Sequence, residues 1–256
     1  MGVKTKIDWV DSSWNPVTGC NHGCEYCYAR RIARRFSGCG YELCGLDFLG
    51  YDIAELDAPY IWTDEYQKEH RIMYPADFKP TLHRYRLDEP RRWKSPRNIF
   101  VSSMGDLFGQ WVPEEWLKEV FGACAAAPQH RYLFLTKNPN RYSTLALKGL
   151  LPKLDNYWYG TTGTTDDVYY WRSDAYNTFL SIEPIMGEYK TMGISYPLRW
   201  VIVGAMTGPQ AEKHPVKREW IESILNHCAR WGRPLFMKES LRELMGEKFN
   251  QEFPWR

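Results

Sequence analysis

The sequence predicts a parallel α/β fold in which short buried strands alternate with amphipathic helices. Six runs are apolar nearly throughout and do not alternate with polar residues, which is typical of strands buried on both faces of a parallel sheet. The runs are Asn98–Ser102, Arg131–Thr136, Tyr157–Thr161, Thr178–Ile182, Trp200–Gly204 and Pro234–Met237. About six strand–helix units suit an open or partial (β/α)6 barrel better than a closed eight-fold one.

Helical patterns lie between these runs. Pro113–Ala127 begins with a proline and two acids, which suits a helix N-terminus. Val216–Trp231 has apolar residues at helical spacing and is followed by Gly232, a residue typical just beyond a helix end. Weaker patterns predict helices over Asn140–Leu147 and Asp166–Asp174.

The composition predicts one folded domain over residues 1–256. Apolar residues make up 44% of the chain and charged residues 25%, which is enough for a sizeable core and too little charge for wholesale disorder. Residues 37–80 interrupt the alternation with many acids, several aromatic residues, Cys39 and Cys44. We therefore expect an insertion at about 37–80, after the first helix of the fold.

The chain offers no sign of a membrane span or an export signal. No apolar run approaches the ~18 residues of a transmembrane helix. Met1–Asp11 carries charges and lacks the hydrophobic segment of a signal peptide. We expect a cytoplasmic protein, in which seven cysteines point to free thiols, metal ligands or catalysis before disulfides.

The most informative stretch is the C-x3-C-x2-C motif formed by Cys20, Cys24 and Cys27. Three thiolates within eight residues can ligate three irons of one [4Fe–4S] cubane. The fourth iron then has no protein ligand, and an open coordination position is what a cluster needs to act on a bound molecule. The motif therefore predicts a catalytic iron–sulfur site.

A structural zinc site is the alternative interpretation of the motif. It requires a fourth ligand, for which the sequence offers His22, Cys39 or Cys44. Zinc motifs usually contain a second, well-separated pair of cysteines, and this chain has no such pair. A zinc-stabilised nucleic-acid-binding module without catalysis is the function that this alternative implies.

The motif and its surroundings resemble the radical S-adenosylmethionine superfamily, specifically a phage- and mobile-element-associated branch. Tyr26 resembles the aromatic residue that the superfamily places beside the adenine. The resemblance covers everything outside the insertion, including Lys6–Trp9, Ser13–Ala29, Thr81–His83, Arg92–Arg97, Phe100–Phe108, Ala127–His130, Leu135–Pro139, Glu183–Gly187 and Trp200–Gly204. It implies a partial (β/α)6 barrel, a [4Fe–4S] cluster and S-adenosyl-L-methionine as cofactors, and a reductant such as flavodoxin or ferredoxin.

Residues at the carboxyl ends of the predicted strands are the candidates for binding S-adenosylmethionine, because functional groups of parallel α/β folds gather there. The resemblance implies that Ser103 and Asp106 hold the amino group of the methionine moiety. Lys137 can pair with its carboxylate. Thr162 can bind a ribose hydroxyl or the carboxylate, and Glu183 can serve as a base, a cofactor contact or an ion-pair partner.

Tyr28 and Lys137 also connect the chain to a second group of enzymes. Spore photoproduct lyases, which repair DNA, look similar in the Cys27-Tyr28 pair and in a lysine at the end of the third strand. Ordinary capping or turn roles remain equally open for the neighbouring strand-end residues Ser102 and Thr161.

A basic and aromatic segment suggests that the substrate is a nucleic acid or a nucleotide. Lys79–Arg97 contains seven Lys or Arg against two acids, with Tyr85 and Trp93 among them. Cations bind phosphates and flat rings stack on unpaired bases, so the mixture suits DNA or RNA. The net charge of only +2 and the acidic insertion favour the other interpretation, a solvated surface with a peptide or small-molecule substrate.

Overall fold

A computed structural model describes residues 5–37, 52–166, 169–189 and 197–255. The strands are β1 Ser12–Trp14, β2 Val17–Thr18, β3 Ala54–Leu56, β4 Tyr60–Thr63, β5 Glu69–Ile72, β6 Thr81–His83, β7 Asn98–Val101, β8 Arg131–Thr136, β9 Tyr157–Gly163, β10 Asn177–Ile182, β11 Trp200–Val203 and β12 Leu235–Met237. The helices are α1 Tyr28–Arg35, α2 Glu89–Arg92, α3 Glu114–Ala125, α4 Asn140–Leu147, α5 Arg218–Arg230 and α6 Arg242–Met245. None of the described helices is both long enough and apolar enough to span a bilayer.

Seven of the strands form one parallel sheet in the order β1-β7-β8-β9-β10-β11-β12. All six predicted strands are present, which confirms the parallel α/β class. The unpredicted member is β1, which pairs with β7 from Ser12 opposite Ile99 to Trp14 opposite Val101. A strand of three residues is too short to produce a hydrophobic pattern of its own.

The predicted helices appear as α3, α4 and α5, but the helix predicted over Asp166–Asp174 is wrong. Residues 169–174 form no helix, and residues 167–168 lie outside the described part. The physical reason is tertiary: the Trp171 backbone N–H donates to Thr161 Oγ1 at 3.1 Å, and its buried indole packs 5.2 Å from the Tyr142 ring. In the described residues, therefore, β9 and β10 are connected without a helix, and the finer (β/α)6 pattern stays a prediction.

The chain divides into two compact units, Ser12–Tyr132 and Thr5–Asp11 together with Leu133–Arg256. In the first unit, the predicted insertion contributes β3 to a small sheet of order β2-β6-β3, and β4 with β5 forms an antiparallel hairpin. Cys39 and Cys44, the two cysteines of the predicted insertion, lie outside the described residues.

The second unit buries opposite faces of β10, β11 and β12 in different surroundings. One face packs against apolar residues of α5, with Leu180, Val201 and Ile221 fully or almost fully buried. The other face carries Phe179 and Trp200, whose ring centroids lie 5.6 Å apart. Rings from distant segments join this second layer: Trp9, Trp158, Phe236, Phe253 and Trp255. Such edge-to-face and tilted ring pairs account for part of the high tryptophan content.

In the first unit, Gly19 connects the small sheet to the end of β7. Its N–H donates to the Met104 carbonyl oxygen at 2.9 Å, and it forms an isolated parallel bridge with Gly105. Its φ of +83° lies in the left-handed region, and an added Cβ would stand 2.0 Å from the Lys79 carbonyl oxygen. Only glycine satisfies both constraints, because every other residue carries that Cβ.

We expect Gly19→Ala to lower the free energy of unfolding by at least about 3 kcal/mol, because left-handed strain adds to overpacking against backbone. Gly149→Ala is the matched control: its φ is +68°, but nothing lies within 4 Å of the added Cβ. The control should lose only about 1 kcal/mol. Urea unfolding of both variants measures the difference, and equal losses would contradict the crowding at Gly19.

Candidate functional site

The three motif cysteines lie on one loop between β2 and α1 of the first unit. All three are free and half-buried, whereas Cys124 and Cys228 are buried. Cys27 is the N-cap of α1, since its Sγ accepts from the Arg30 backbone N–H at 3.4 Å. The loop therefore ends where the helix begins, and its last thiol is fixed by the helix start.

The loop is anchored at Cys20 as well. The Cys20 N–H donates to the Phe78 carbonyl oxygen at 3.1 Å, and Arg30 Nη2 donates to the Cys20 carbonyl oxygen at 3.3 Å. Cys20 and Cys27 also pack against a small apolar cluster formed by Ala29, Ala33, Tyr74, Phe78 and Met104. Main-chain hydrogen bonds and apolar packing thus hold the loop in place, and its thiol groups remain available.

Burial makes Cys20 a poor thiolate on its own. It raises the pKa of this thiol to about 12, against the opposing effect of the His22 N–H, which donates to Cys20 Sγ at 3.5 Å. The negative charge of Asp106 acts in the same direction as burial. A bound cation is the ordinary means by which a protein holds such a sulfur deprotonated.

Within the described ranges, no three His, Cys, Asp or Glu side chains converge closely enough to hold one metal ion. Three thiolates that bind different irons of a cubane need a wider spacing than three that share a single ion. The donor set itself fits a cluster, because three thiol groups lie on one short loop. In chemical terms, Cys20, Cys24 and Cys27 are the residues that would hold it.

A hydrogen bond between the side chains of His22 and Asp106 connects the cysteine loop to the segment that follows β7. His22 Nε2 and Asp106 Oδ2 are 2.7 Å apart, and the His22 ring stands edge-on to Trp111 at a centroid distance of 4.8 Å. Asp106 Oδ1 also accepts from the Phe108 N–H at 3.0 Å. The Asp106 side chain is only 6% exposed, and both of its carboxylate oxygens are engaged.

A hydrogen bond between Tyr28 and Ser103 also connects the start of α1 to the residues that follow β7. The Tyr28 hydroxyl donates to the Ser103 carbonyl oxygen at 2.7 Å. The Ser103 hydroxyl donates to Asn15 Oδ1 at 3.1 Å, and the same oxygen accepts from the Met104 N–H at 2.9 Å. The structure thus brings Tyr28, Ser103 and the cysteine loop together, with Tyr26 half-buried on the loop.

Ser102, directly after β7, carries backbone strain. Its φ is +59°, a left-handed value that costs a non-glycine residue about 1–3 kcal/mol and is common at functional sites. Its side chain is buried, and its hydroxyl is without a partner among the described residues. The strain points this strand end towards a role beyond ordinary turn formation.

Other unsatisfied polar atoms lie around the loop. Arg30 Nε, Asp77 Oδ1 and Trp111 Nε1 are buried and have no hydrogen-bond partner within the described part of the chain. Arg30 also contacts the loop directly, Asp77 precedes the Phe78 carbonyl that holds Cys20, and Trp111 touches His22. Buried polar groups of native proteins are normally paired, so these three atoms are positions where ordered water or a polar ligand can bind.

The remaining predicted ligands lie at strand ends of the second unit. Lys137 follows β8 and is half-buried, Thr162 lies near the end of β9, and Glu183 follows β10. Thr161, for which capping and function were equally open, accepts the Trp171 N–H and is completely buried. Its role is therefore structural.

Lys238 was missed by the sequence reasoning, although it directly follows β12. Its ammonium group forms an ion pair with Glu183. To reach Glu183 it crosses the end of β11 over Gly204, where an added Cβ would stand 2.8 Å from Lys238 Cδ. The rule that selected Lys137, a charge just beyond an apolar strand, would have selected Lys238 too.

The later part of the basic run, from Pro90 to Arg97, lies at the other end of β7 from the cysteine loop. Arg97 donates to Ser12 Oγ at 2.9 Å, and its carbonyl oxygen accepts from the Arg131 N–H at 2.8 Å, so it marks the amino ends of β1 and β8. Arg84 is paired with Glu55, Asp57 and Glu119, and Arg86 is buried. The exposed cations of the run are Arg91, Arg92 and Lys94.

Comparison with known proteins adds one finding. A family model described as "Protein of unknown function (DUF5131)" matches residues 4–247. The chain belongs to this family. The DUF5131 match spans both units and includes the cysteine loop and every predicted ligand. Neither curated proteins nor solved structures give a match.

We expect Asp106→Ala to lower the free energy of unfolding by about 2–3 kcal/mol, because it leaves both the His22 ring and the Phe108 N–H without their acceptor. His22→Ala should cost less, about 1 kcal/mol, because Asp106 keeps the Phe108 N–H. Urea unfolding of the metal-free protein measures both. If His22→Ala lowers the free energy of unfolding as much as Asp106→Ala does, the stabilisation comes from packing of the His22 ring on Trp111 and not from the hydrogen bonds of Asp106.

Proposed function

We propose that the protein is a radical S-adenosylmethionine enzyme in which Cys20, Cys24 and Cys27 hold a [4Fe–4S] cluster. When bound and reduced, such a cluster supplies the electron that splits S-adenosylmethionine into methionine and a 5′-deoxyadenosyl radical, which takes hydrogen from a substrate. The observation that carries the proposal is a loop with three free, half-buried thiols between a strand end and a helix N-terminus.

One observation favours this proposal over the zinc alternative: within the described ranges, no three His, Cys, Asp or Glu side chains converge closely enough to share a single ion. His22, one candidate for a fourth zinc ligand, has its Nε2 engaged by Asp106, which leaves its Nδ1 as the ligand atom. Cys39 and Cys44, the other candidates, lie outside the described residues. Three cysteines with no fourth protein ligand leave one iron position open, which the proposed chemistry requires and a structural zinc site does not.

For S-adenosylmethionine, the proposal assigns roles by charge and position. Ser103 and Asp106 are proposed for the amino group of the methionine moiety and Tyr26 for the adenine. Tyr28, which is hydrogen-bonded to the Ser103 carbonyl oxygen, is proposed as a further cofactor contact. Because Asp106 already binds His22, it would hold that amino group only with lone pairs that His22 and Phe108 leave free. Lys137 is proposed for the carboxylate. Thr162 is proposed for a ribose hydroxyl or the carboxylate. Glu183, which forms an ion pair with Lys238, is proposed as a base or a cofactor contact.

The reductant and the substrate complete the proposal. A one-electron donor such as flavodoxin or ferredoxin is required, because the chain itself supplies no electron. A nucleic acid or nucleotide stays the proposed substrate, supported by the exposed cations Arg91, Arg92 and Lys94. These precede the amino end of β7, so they would bind flanking phosphates and would not place the reacting base.

We expect each of Cys20→Ala, Cys24→Ala and Cys27→Ala to lose most of the iron taken up on anaerobic reconstitution, because each removes one of three cluster ligands. Cys124→Ala is the matched control: this thiol is fully buried on α3 and should leave iron content unchanged. Iron and sulfide analysis, with absorbance in the ~400 nm region, gives the result. Full iron in any of the three motif variants, or zinc in a colourless protein, would refute the cluster.

We expect the reduced, cluster-loaded protein to convert S-adenosylmethionine to methionine and 5′-deoxyadenosine. Chromatography after addition of dithionite measures both products. The Cys20→Ala/Cys24→Ala/Cys27→Ala variant provides the background. Products no greater than that background, in a protein with full iron, would leave only a structural role for the cluster.

We expect single-stranded DNA or RNA to bind with an affinity that falls steeply with salt, because phosphates release counterions on binding. Arg91→Ala/Arg92→Ala/Lys94→Ala should weaken this binding at low salt. Fluorescence anisotropy at several salt concentrations measures it, with Lys118→Ala/Lys153→Ala/Lys213→Ala, three scattered exposed lysines, as control. Equal affinity in both variants would favour a peptide or small-molecule substrate.

A further inference from the structure

Helix α1 presents an apolar stripe to solvent. Tyr28, Ile32 and Phe36, spaced four residues apart from the first residue to the C-cap, are 46%, 39% and 51% exposed. Residues four apart lie on the same side of a helix, so the three form one continuous strip. On the adjoining side of the helix, Ala29 and Ala33 are buried in the cluster behind the cysteine loop.

Positive charge lies along one border of the stripe, where Arg31 and Arg35 are its neighbours on the helix, and Arg34 lies beyond them. Arg31, Arg34 and Arg35 are exposed, and within the described ranges no acidic side chain pairs with any of them. The helix sequence YARRIARR contains no acid. A stripe of apolar side chains bordered by unpaired arginines is complementary to an acidic surface with an apolar centre.

The position of the stripe relates it to the cysteine loop. Cys27 caps the helix, and Tyr28 is the first residue of both helix and stripe. An eight-residue helix is about 12 Å long, so the whole stripe lies close to the proposed cluster ligand. A partner that covers the stripe therefore has its own contact surface beside Cys27.

From these observations we propose that the exposed face of α1 is the docking surface for an acidic one-electron donor protein of the flavodoxin or ferredoxin type. The inference rests on the proposed function, because it gives the cluster its route of reduction. Arg31, Arg34 and Arg35 attract and orient the acidic partner, and Ile32 and Phe36 provide the apolar contact that holds it.

Charge reversal tests the proposal. Arg31→Glu/Arg34→Glu/Arg35→Glu should weaken binding of labelled oxidised flavodoxin at least tenfold at low salt. In stopped flow, the rate of cluster reduction by flavodoxin hydroquinone should fall at least tenfold, whereas the rate with dithionite should change less than twofold. Dithionite is a small molecule and needs no docking surface.

The matched control is Lys118→Glu/Lys153→Glu/Lys213→Glu, which changes the net charge equally through exposed residues elsewhere. It should retain wild-type flavodoxin binding. Equal weakening in the control would mean that overall charge and not the face of α1 determines binding, and that result would overturn the proposal. Wild-type flavodoxin binding in the α1 variant would overturn it as well.

Failure of the proposed function has a different signature. A wild-type protein that takes up no iron, or is not reduced by dithionite, would refute the cluster, and docking of an electron donor would fall with it. If the α1 charge variant alone is no longer reduced by dithionite, its cluster is damaged and it cannot report on docking. The variant Ile32→Ser/Phe36→Ser then tests the docking face. At least tenfold weaker flavodoxin binding in that variant supports the docking face, and unchanged binding overturns it.

Discussion

The close approach of Gly19 to Gly105 is the constraint on which the cysteine loop depends. These residues let the chain after β2 lie directly against the chain after β7, with backbone in contact on the Lys79 side as well. Only then do the next residues meet their anchors: Cys20 reaches Phe78, His22 reaches Asp106, and Tyr28 reaches Ser103. A side chain at either glycine would separate the two segments and loosen every one of these contacts.

Much of the sheet could be predicted, because buried parallel strands carry their own signal. Trp200–Val203 is apolar throughout and Asn98–Val101 is apolar after its first residue, since both faces are covered, and a strand end follows directly from such a run. The strand-end rule then selected Ser103 and Glu183 from sequence alone. It would also have given Lys238, which stands in the same relation to its strand as Lys137.

Other features depend on residues far apart in the chain and leave no local pattern. Asp106 and His22 are separated by 84 positions, so the sequence around either residue gives no sign that their side chains are hydrogen-bonded. The helix expected over Asp166–Asp174 fails because Thr161 and surrounding rings hold Trp171, a tertiary effect that outweighs a weak local pattern. The basic run looks uniform in sequence, yet ion pairs and burial remove Arg84 and Arg86 from its surface.

The capping of α1 by Cys27 has a consequence for quality control. A helix of eight residues is marginal by itself and relies on its cap and on packing for stability. In the proposed function the sulfur that closes its first turn also holds metal, so cofactor loading and helix order would be linked in one residue. A partner that recognises the ordered helix would then distinguish a matured protein from an empty one without contacting the cofactor. The assembly state of the interior would be displayed on the surface.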